Sequence, residues 1–260
     1  MRVQHVVAAA IKTTLLKILL GLTSYQGELS ILGLHPRQDR LALMHRMCFI
    51  ADVAILPKWL KVKNALDFIA GVHPKFNREK AMMFMERTNV PMNSHIKHLS
   101  KGMVTQLHLS LVMAIDVDIL VLDEPTLGLD LSFRKTFYRS LLNDYFTQER
   151  TIIIATHQID EVEGLLTDVF ILNHGKLVLQ HTTDEWLNTF FVLTVHPDQA
   201  DTVRALHPIY EEPRLGQIRF IFKHQEKAHL AQFGDVSNAS ISDVFIATLA
   251  PSTDSTKTTA

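Results

Sequence analysis

Ile119-Leu120-Val121-Leu122-Asp123-Glu124-Pro125-Thr126-Leu127-Gly128-Leu129-Asp130 is the stretch whose reading decides the fold. Four consecutive apolar residues predict a strand buried on both faces, as in a parallel sheet. Pro125 stops that strand, and Gly128 allows a turn that presents Asp130. Two adjacent carboxylates at a buried strand end are costly unless something cationic lies against them. In an α/β sheet the carboxyl end is also where ligands bind. A Mg²⁺–nucleotide suits that place, with Asp123 on the metal side and Glu124 facing the attacking water. A strand that merely ends in an acidic turn has the same pattern, so the neighbouring segments must decide.

Just upstream, His98-Leu99-Ser100-Lys101-Gly102-Met103 opens a helix that runs to about Ile115. Ser100 suits an N-cap and Gly102 keeps the first turn open to a ligand; such a start is a good anion site, though by itself it is usually just a cap. Downstream, a helix is expected from about Ser132 to Phe146. A second apolar strand, Thr151 to Thr156, then places His157 at its end, beside the acidic strand.

Near the start, Val3 to Val7 suits a short strand, and Lys12-Thr13-Thr14 precedes the amphipathic run Leu15 to Leu20, which ends near Gly21. Lys-Thr-Thr opening a helix after a strand is the second half of a phosphate-binding loop. Lys12 would then reach the β- and γ-phosphates and the Thr13 hydroxyl would hold Mg²⁺. The two glycine positions of G-x-x-x-x-G-K-[ST] fall on Val6 and Ile11, whose β-branched side chains resist the backbone angles glycine supplies. An ordinary solvated helix start is the alternative for this segment.

Between these motifs, Glu28 to Gly33 alternates like a strand, 36–45 suits helix or loop, and Met47 to Ile50 suits a buried strand with Asp52 at its end. Leu56 to Leu60 is an apolar loop with Trp59 partly exposed. Helical patterns cover about 62–71 and 78–89, the latter carrying Met82, Met83 and Met85. Val169 to Leu172 and Lys176 to Leu179 pattern as a hairpin across Asn173-His174-Gly175. From about 187, short strands at Phe190 to Val195, Ile209 to Tyr210 and Ile218 to Phe222 mix with helical stretches, as in a small α+β appendage. The polar tail from Pro251 onward has the composition of a disordered segment.

The totals agree with one ordinary domain plus an appendage: 260 residues, 47% hydrophobic. A net charge of −1 argues against a broad nucleic-acid footprint. A single cysteine, Cys48, excludes an internal disulfide and fits a reducing compartment. No apolar run approaches the ~20 residues that span a bilayer, and the N-terminus lacks a signal-peptide cleavage pattern. A soluble, intracellular chain is expected.

Taken in order, the motifs resemble those of the ATP-binding subunit of an ABC transporter, of bacterial exporter type. Lys12-Thr13-Thr14 is similar to the end of the Walker A loop, and Leu99-Ser100-Lys101-Gly102-Met103 to the signature motif. Ile119 to Glu124 resembles Walker B, Gly128-Leu129-Asp130 the D-loop, and His157 the switch histidine. The resemblance implies a P-loop NTPase-type α/β core over 1–185 with a mostly parallel sheet and a helical subdomain at about 53–115. A small C-terminal α+β appendage over 186–250 and a disordered tail over 251–260 would follow.

The resemblance further implies ATP and Mg²⁺ as ligands. Lys12, Thr13 and Thr14 would hold phosphates, with Thr13 and Asp123 on the metal and Asp52 a further metal candidate. Glu124 would be the general base and His157 would stabilise the γ-phosphate. Ser100 and Gly102 would reach the nucleotide of a second ATP-binding subunit in a head-to-tail dimer, and Asp130 would cross that interface. The expected partner is a membrane permease, met through the segment with Trp59 at the cytoplasmic face of the inner membrane, with no nucleic acid involved.

Three features depart from the family pattern: the strands and adenine-stacking aromatic expected before Lys12, the loop glycines, and the usual Gln, replaced by Asp52. Lys101 and Met103 are milder changes. They suggest a truncated, mis-started or decayed copy, and an alternative function: a non-catalytic chain that binds ATP poorly and lends a half-site to an intact subunit.

Overall fold

The computed structural model describes residues 12–50, 56–146 and 150–250, without the side chains of Lys12 and Thr13. The chain divides into two compact units, 1–157 and 158–260.

In the first unit, α1 (Lys12–Leu19) and α2 (Arg40–Met44) precede β1 (Met47–Ile50). Helices α3 (Val62–Val72), α4 (Arg78–Met85) and α5 (Lys101–Met113) lead to β2 (Ile119–Asp123), and α6 (Leu131–Ser140) leads to β3 (Thr151–Ala155). The three strands pair in parallel in the order β1-β2-β3, with Ile119 opposite Met47 on one side and Thr151 on the other. All five residues of β2 are buried, which is why it reads as an unbroken apolar run rather than an alternating one. Helix α1 packs Leu16 and Leu20 with Leu43, Met47, Ile119, Val121 and Ala155, so it lies on one face of this sheet. Each of the larger apolar side chains so buried contributes about 1.5–3 kcal/mol.

Helices α3 to α5 build a second core from Val62, Leu66, Met85, Ile96, Leu107 and Leu111, the helical subdomain expected between the strands. Its α4 stops at Met85, short of the expected 89. There the Thr88 hydroxyl donates to the Met85 carbonyl at 2.7 Å, competing with continuation of the helix. Trp59 is more open than expected, 73% exposed. Helix α6 passes into a π-helical turn, Leu141–Tyr145, anchored by the Tyr145 hydroxyl donating to Ile115 O at 3.1 Å.

Among the described residues, one expected element is absent. Glu28 to Gly33 does not form a strand. Ile31 and Leu34 exchange both backbone hydrogen bonds at 2.9 Å around Leu32 (φ 53°) and Gly33 (φ 79°). Two successive positive φ values make a tight turn of the mirror type, which alternation of residue type cannot reveal.

The second unit opens with α7 (Ile159–Val162) and the hairpin β4 (Asp168–Asn173) and β5 (Lys176–Thr182), turning at His174 (φ 45°) and Gly175 (φ 76°). Next comes α8 (Thr183–Thr189), started by a reciprocal cap between Thr182 and Glu185. Its buried Trp186 donates from Nε1 to Ala239 O at 3.0 Å. There follow β6 (Phe190–Val195), α9 (Ala200–Arg204), β7 (Tyr210–Arg214), β8 (Gln217–Lys223), α10 (Lys227–Leu230), β9 (Asp235–Asn238) and α11 (Ile241–Leu249). The sheet order β7-β8-β6-β9 is wholly antiparallel, a ferredoxin-like β-α-β-β-α-β arrangement. Phe191, Leu193, Phe220 and Phe222 form the core of its α9/α10 side.

Candidate functional site

Strand pairing alone brings the principal groups together. Because Asp123 pairs with Ala155, β2 and β3 end level, and the residues that follow each strand meet. Asp123 is still on the strand and 6% exposed. Glu124 leaves it with φ 45°, a left-handed conformation unusual for a residue with a Cβ. The turn holds it there: its N–H donates to Ala155 O at 2.8 Å, and its carbonyl accepts from the Leu127 N–H at 3.1 Å.

The Glu124 side chain is 12% exposed and lies against the end of β3. The Thr156 hydroxyl donates to Oε2 at 2.9 Å, while the His157 backbone N–H reaches Oε1 at 3.1 Å and its Nδ1 reaches the same oxygen at 2.7 Å. An ionised carboxylate only accepts, so Nδ1 carries the ring proton in this pairing. The imidazole is 57% exposed, which leaves it room to move to another partner.

The turn after Glu124 is equally constrained. Buried Thr126 pairs its hydroxyl with that of Tyr138 at 3.3 Å, Gly128 has φ 84°, and Arg134 Nε donates to Leu129 O at 2.7 Å. Asp130 caps α6 by accepting from the Phe133 N–H at 2.9 Å. Ser100 likewise caps α5, accepting from the Met103 N–H at 3.2 Å.

The start of α5 also meets this turn. A Cβ at Gly102 would lie 3.4 Å from Gly128 O, and the Lys101 stem runs 3.6 Å from where a Gly128 Cβ would stand. Ser100, Gly102, Gly128 and Asp130 therefore share one region, and Asp123, Glu124 and His157 share the strand ends that lead into it. Thr14 is exposed on the first turn of α1. The side chains of Lys12 and Thr13, and all of Asp52, lie outside the described residues, as do the expected first strand and the tail.

Sequence reasoning missed Thr156, Tyr138 and Arg134. Thr156 had a local signal, a hydroxyl interrupting an apolar run immediately before His157, whereas the other two had none.

Among the described residues no three His, Cys, Asp or Glu side chains form a metal cluster. A buried carboxylate oxygen such as that of Asp123 nonetheless suits Mg²⁺, which usually takes one or two carboxylates and completes its shell with water and substrate phosphates. The donor set fits a metal carried in on a nucleotide.

A parallel sheet with carboxylates and an imidazole gathered at its carboxyl ends has the α/β class of architecture, in which that end is where ligands bind. Residues 11–127 match the family model described as ABC transporter.

Nod factor export ATP-binding protein I of Cupriavidus pinatubonensis is 26% identical over 258 residues, covering 90% of this chain and 78% of that protein. The energy-coupling factor transporter ATP-binding protein EcfA2 of Staphylococcus saprophyticus is 29% identical over 115 residues, 44% of this chain and 40% of that one. An uncharacterized ABC transporter ATP-binding protein of a Nostoc species is 27% identical, and the chain spans 63% of its length.

A solved ATP-binding subunit of an ABC transporter superposes with a TM-score of 0.62 at 21% identity, covering 71% of this chain and 81% of that one. A dimeric ATP-binding cassette bound to ADP and Pi superposes with a TM-score of 0.58 at 16% identity, covering 69% and 84%. The fold is that of an ABC ATPase.

Proposed function

We propose that this chain hydrolyses ATP to power export through a membrane permease. Glu124 is the general base toward water, and His157 is its partner and the ligand of the γ-phosphate. The observation that carries the reading is the hold on Glu124: a carboxylate 12% exposed, bonded to His157 through both backbone and ring. Phosphoryl transfer needs positioning and charge neutralisation more than covalent help, and this arrangement supplies positioning. Lys12, Thr13 and Thr14 bind phosphates at the start of α1. Asp123 and Thr13, with Asp52 a further candidate, hold Mg²⁺, which supplies charge neutralisation at the phosphates.

Ser100 and Gly102 serve the nucleotide of a second subunit in a head-to-tail dimer, and Asp130 acts at that interface. Their common position beside Gly128 supports this, as does the dimer known for one structural relative. The ATPase domain is assigned to 1–185 and the appendage to 186–250. No helix among the described residues is long and apolar enough to cross a membrane, so the membrane step is assigned to the permease, with this subunit peripheral at the cytoplasmic face.

Ile11 at the last loop-glycine position favours a second reading, a chain that lends a half-site without binding ATP tightly. Thermal unfolding separates the two. Mg-ATP at about 100 times its Kd stabilises a binding chain by about 2.7 kcal/mol. A melting temperature unmoved by millimolar Mg-ATP rejects the catalytic reading.

A further inference from the structure

We infer that Thr156 is a positioning residue for Glu124, holding its carboxylate in place independently of His157. The inference rests on the ATPase reading above and deepens it. A carboxylate turns about a broad sp³–sp² torsion, so burial alone does not orient it; hydrogen bonds on both oxygens do. Here the two oxygens are held by different residues. Oε1 accepts from the backbone and ring of His157, and Oε2 accepts from the Thr156 hydroxyl at 2.9 Å.

The two holds differ in permanence. The His157 ring is 57% exposed, and in the proposed cycle it turns to the γ-phosphate. Thr156 is 1% exposed, immediately after β3, and its β-branched side chain has a stiff χ1. When the imidazole leaves Oε1, the His157 backbone N–H stays on that oxygen and the Thr156 hydroxyl fixes the other, so the carboxylate does not rotate at the moment it must face water. Thr156 touches neither nucleotide nor water in this scheme; it acts through Glu124.

Two measurements test this on the full chain. The first needs no activity. In an H157A background, Thr156→Val should lower the melting temperature by about 3 °C, and in H157A/E124A by less than about 1 °C, because the bond is already gone. Equal losses in the two backgrounds overturn the inference.

The second is steady-state turnover. T156V, matched in shape but without the hydroxyl, should lower kcat by about 10- to 100-fold, the weight of one hydrogen bond to a charged group. KM for ATP should stay within about twofold, as for an interaction used after binding. T156S, which keeps the hydroxyl, should recover most of kcat. A T156V chain with unchanged kcat, or a T156S chain as slow as T156V, also overturns it. A chain that binds no Mg-ATP yet shows the melting-temperature coupling refutes the ATPase reading while supporting the hold of Thr156 on Glu124.

Discussion

At the ends of β2 and β3, a carboxylate, a hydroxyl and an imidazole crowd one turn, and Glu124 holds a left-handed conformation to meet them. In the β7-β8-β6-β9 sheet of the second unit the arrangement is opposite. Phe191, Phe220 and Phe222 lie inside, while charge lies outside that core in ion pairs such as Arg204–Glu211 and Arg219–Asp243. Positive φ at residues with a Cβ also occurs in turns of both units, as at Leu32 and His174, so what sets the first region apart is the clustering of polar groups on the Glu124 carboxylate. The two regions should therefore respond to different perturbations.

The largest expected effect sharpens that contrast. Glu124→Gln keeps the side chain's shape but removes the base, and ATP turnover should fall by about 10²–10⁴-fold with Mg-ATP stabilisation retained. Turnover unchanged in this variant would remove Glu124 from its role and reduce the strand end to an acidic turn.

Phe220→Ala attacks the other side of the comparison. Phe220 is 0% exposed in the sheet core, and its truncation should cost about 3–5 kcal/mol in chemical denaturation of the second unit. Per folded molecule, turnover should be unchanged. A collapse of turnover among folded molecules would mean the aromatic sheet is not merely structural.

The smallest effect concerns the peripheral pairs. The Arg204 fork on Glu211 holds that carboxyl below its ordinary value of 4.5. A depressed folded-state pKa gives stability that is present above pH 4.5 and lost as pH falls through the folded value. Melting temperatures of the parent and E211Q should therefore converge below pH 4.5 and separate slightly above it. A gap constant across that range would assign the pair no part in acid stability, and its partial exposure already keeps its worth small.

Much of this molecule was legible locally. The unbroken apolar runs at 119–122 and 152–155 announced parallel strands because a strand covered on both faces has little polar side to show. Ser100 read as a helix start and is a cap in fact, whereas Asp130, read as the end of a turn, also caps a helix. Glu28 to Gly33 misled, since the alternation there belongs to a tight turn whose two positive φ values leave no mark on hydropathy.

The chain's order of residues settled which strands would be buried, where they would stop, and that acids and an imidazole would stand at their ends. Those are consequences of side-chain hydrophobicity and of proline and glycine geometry, which act over a few residues. That Thr156 and His157 close on a carboxylate more than thirty positions away, and that Gly102 comes to rest beside Gly128, only the folded structure decided. The register between β2 and β3 and the packing of α5 bring those groups within bonding distance, and neither is written in any short stretch of sequence.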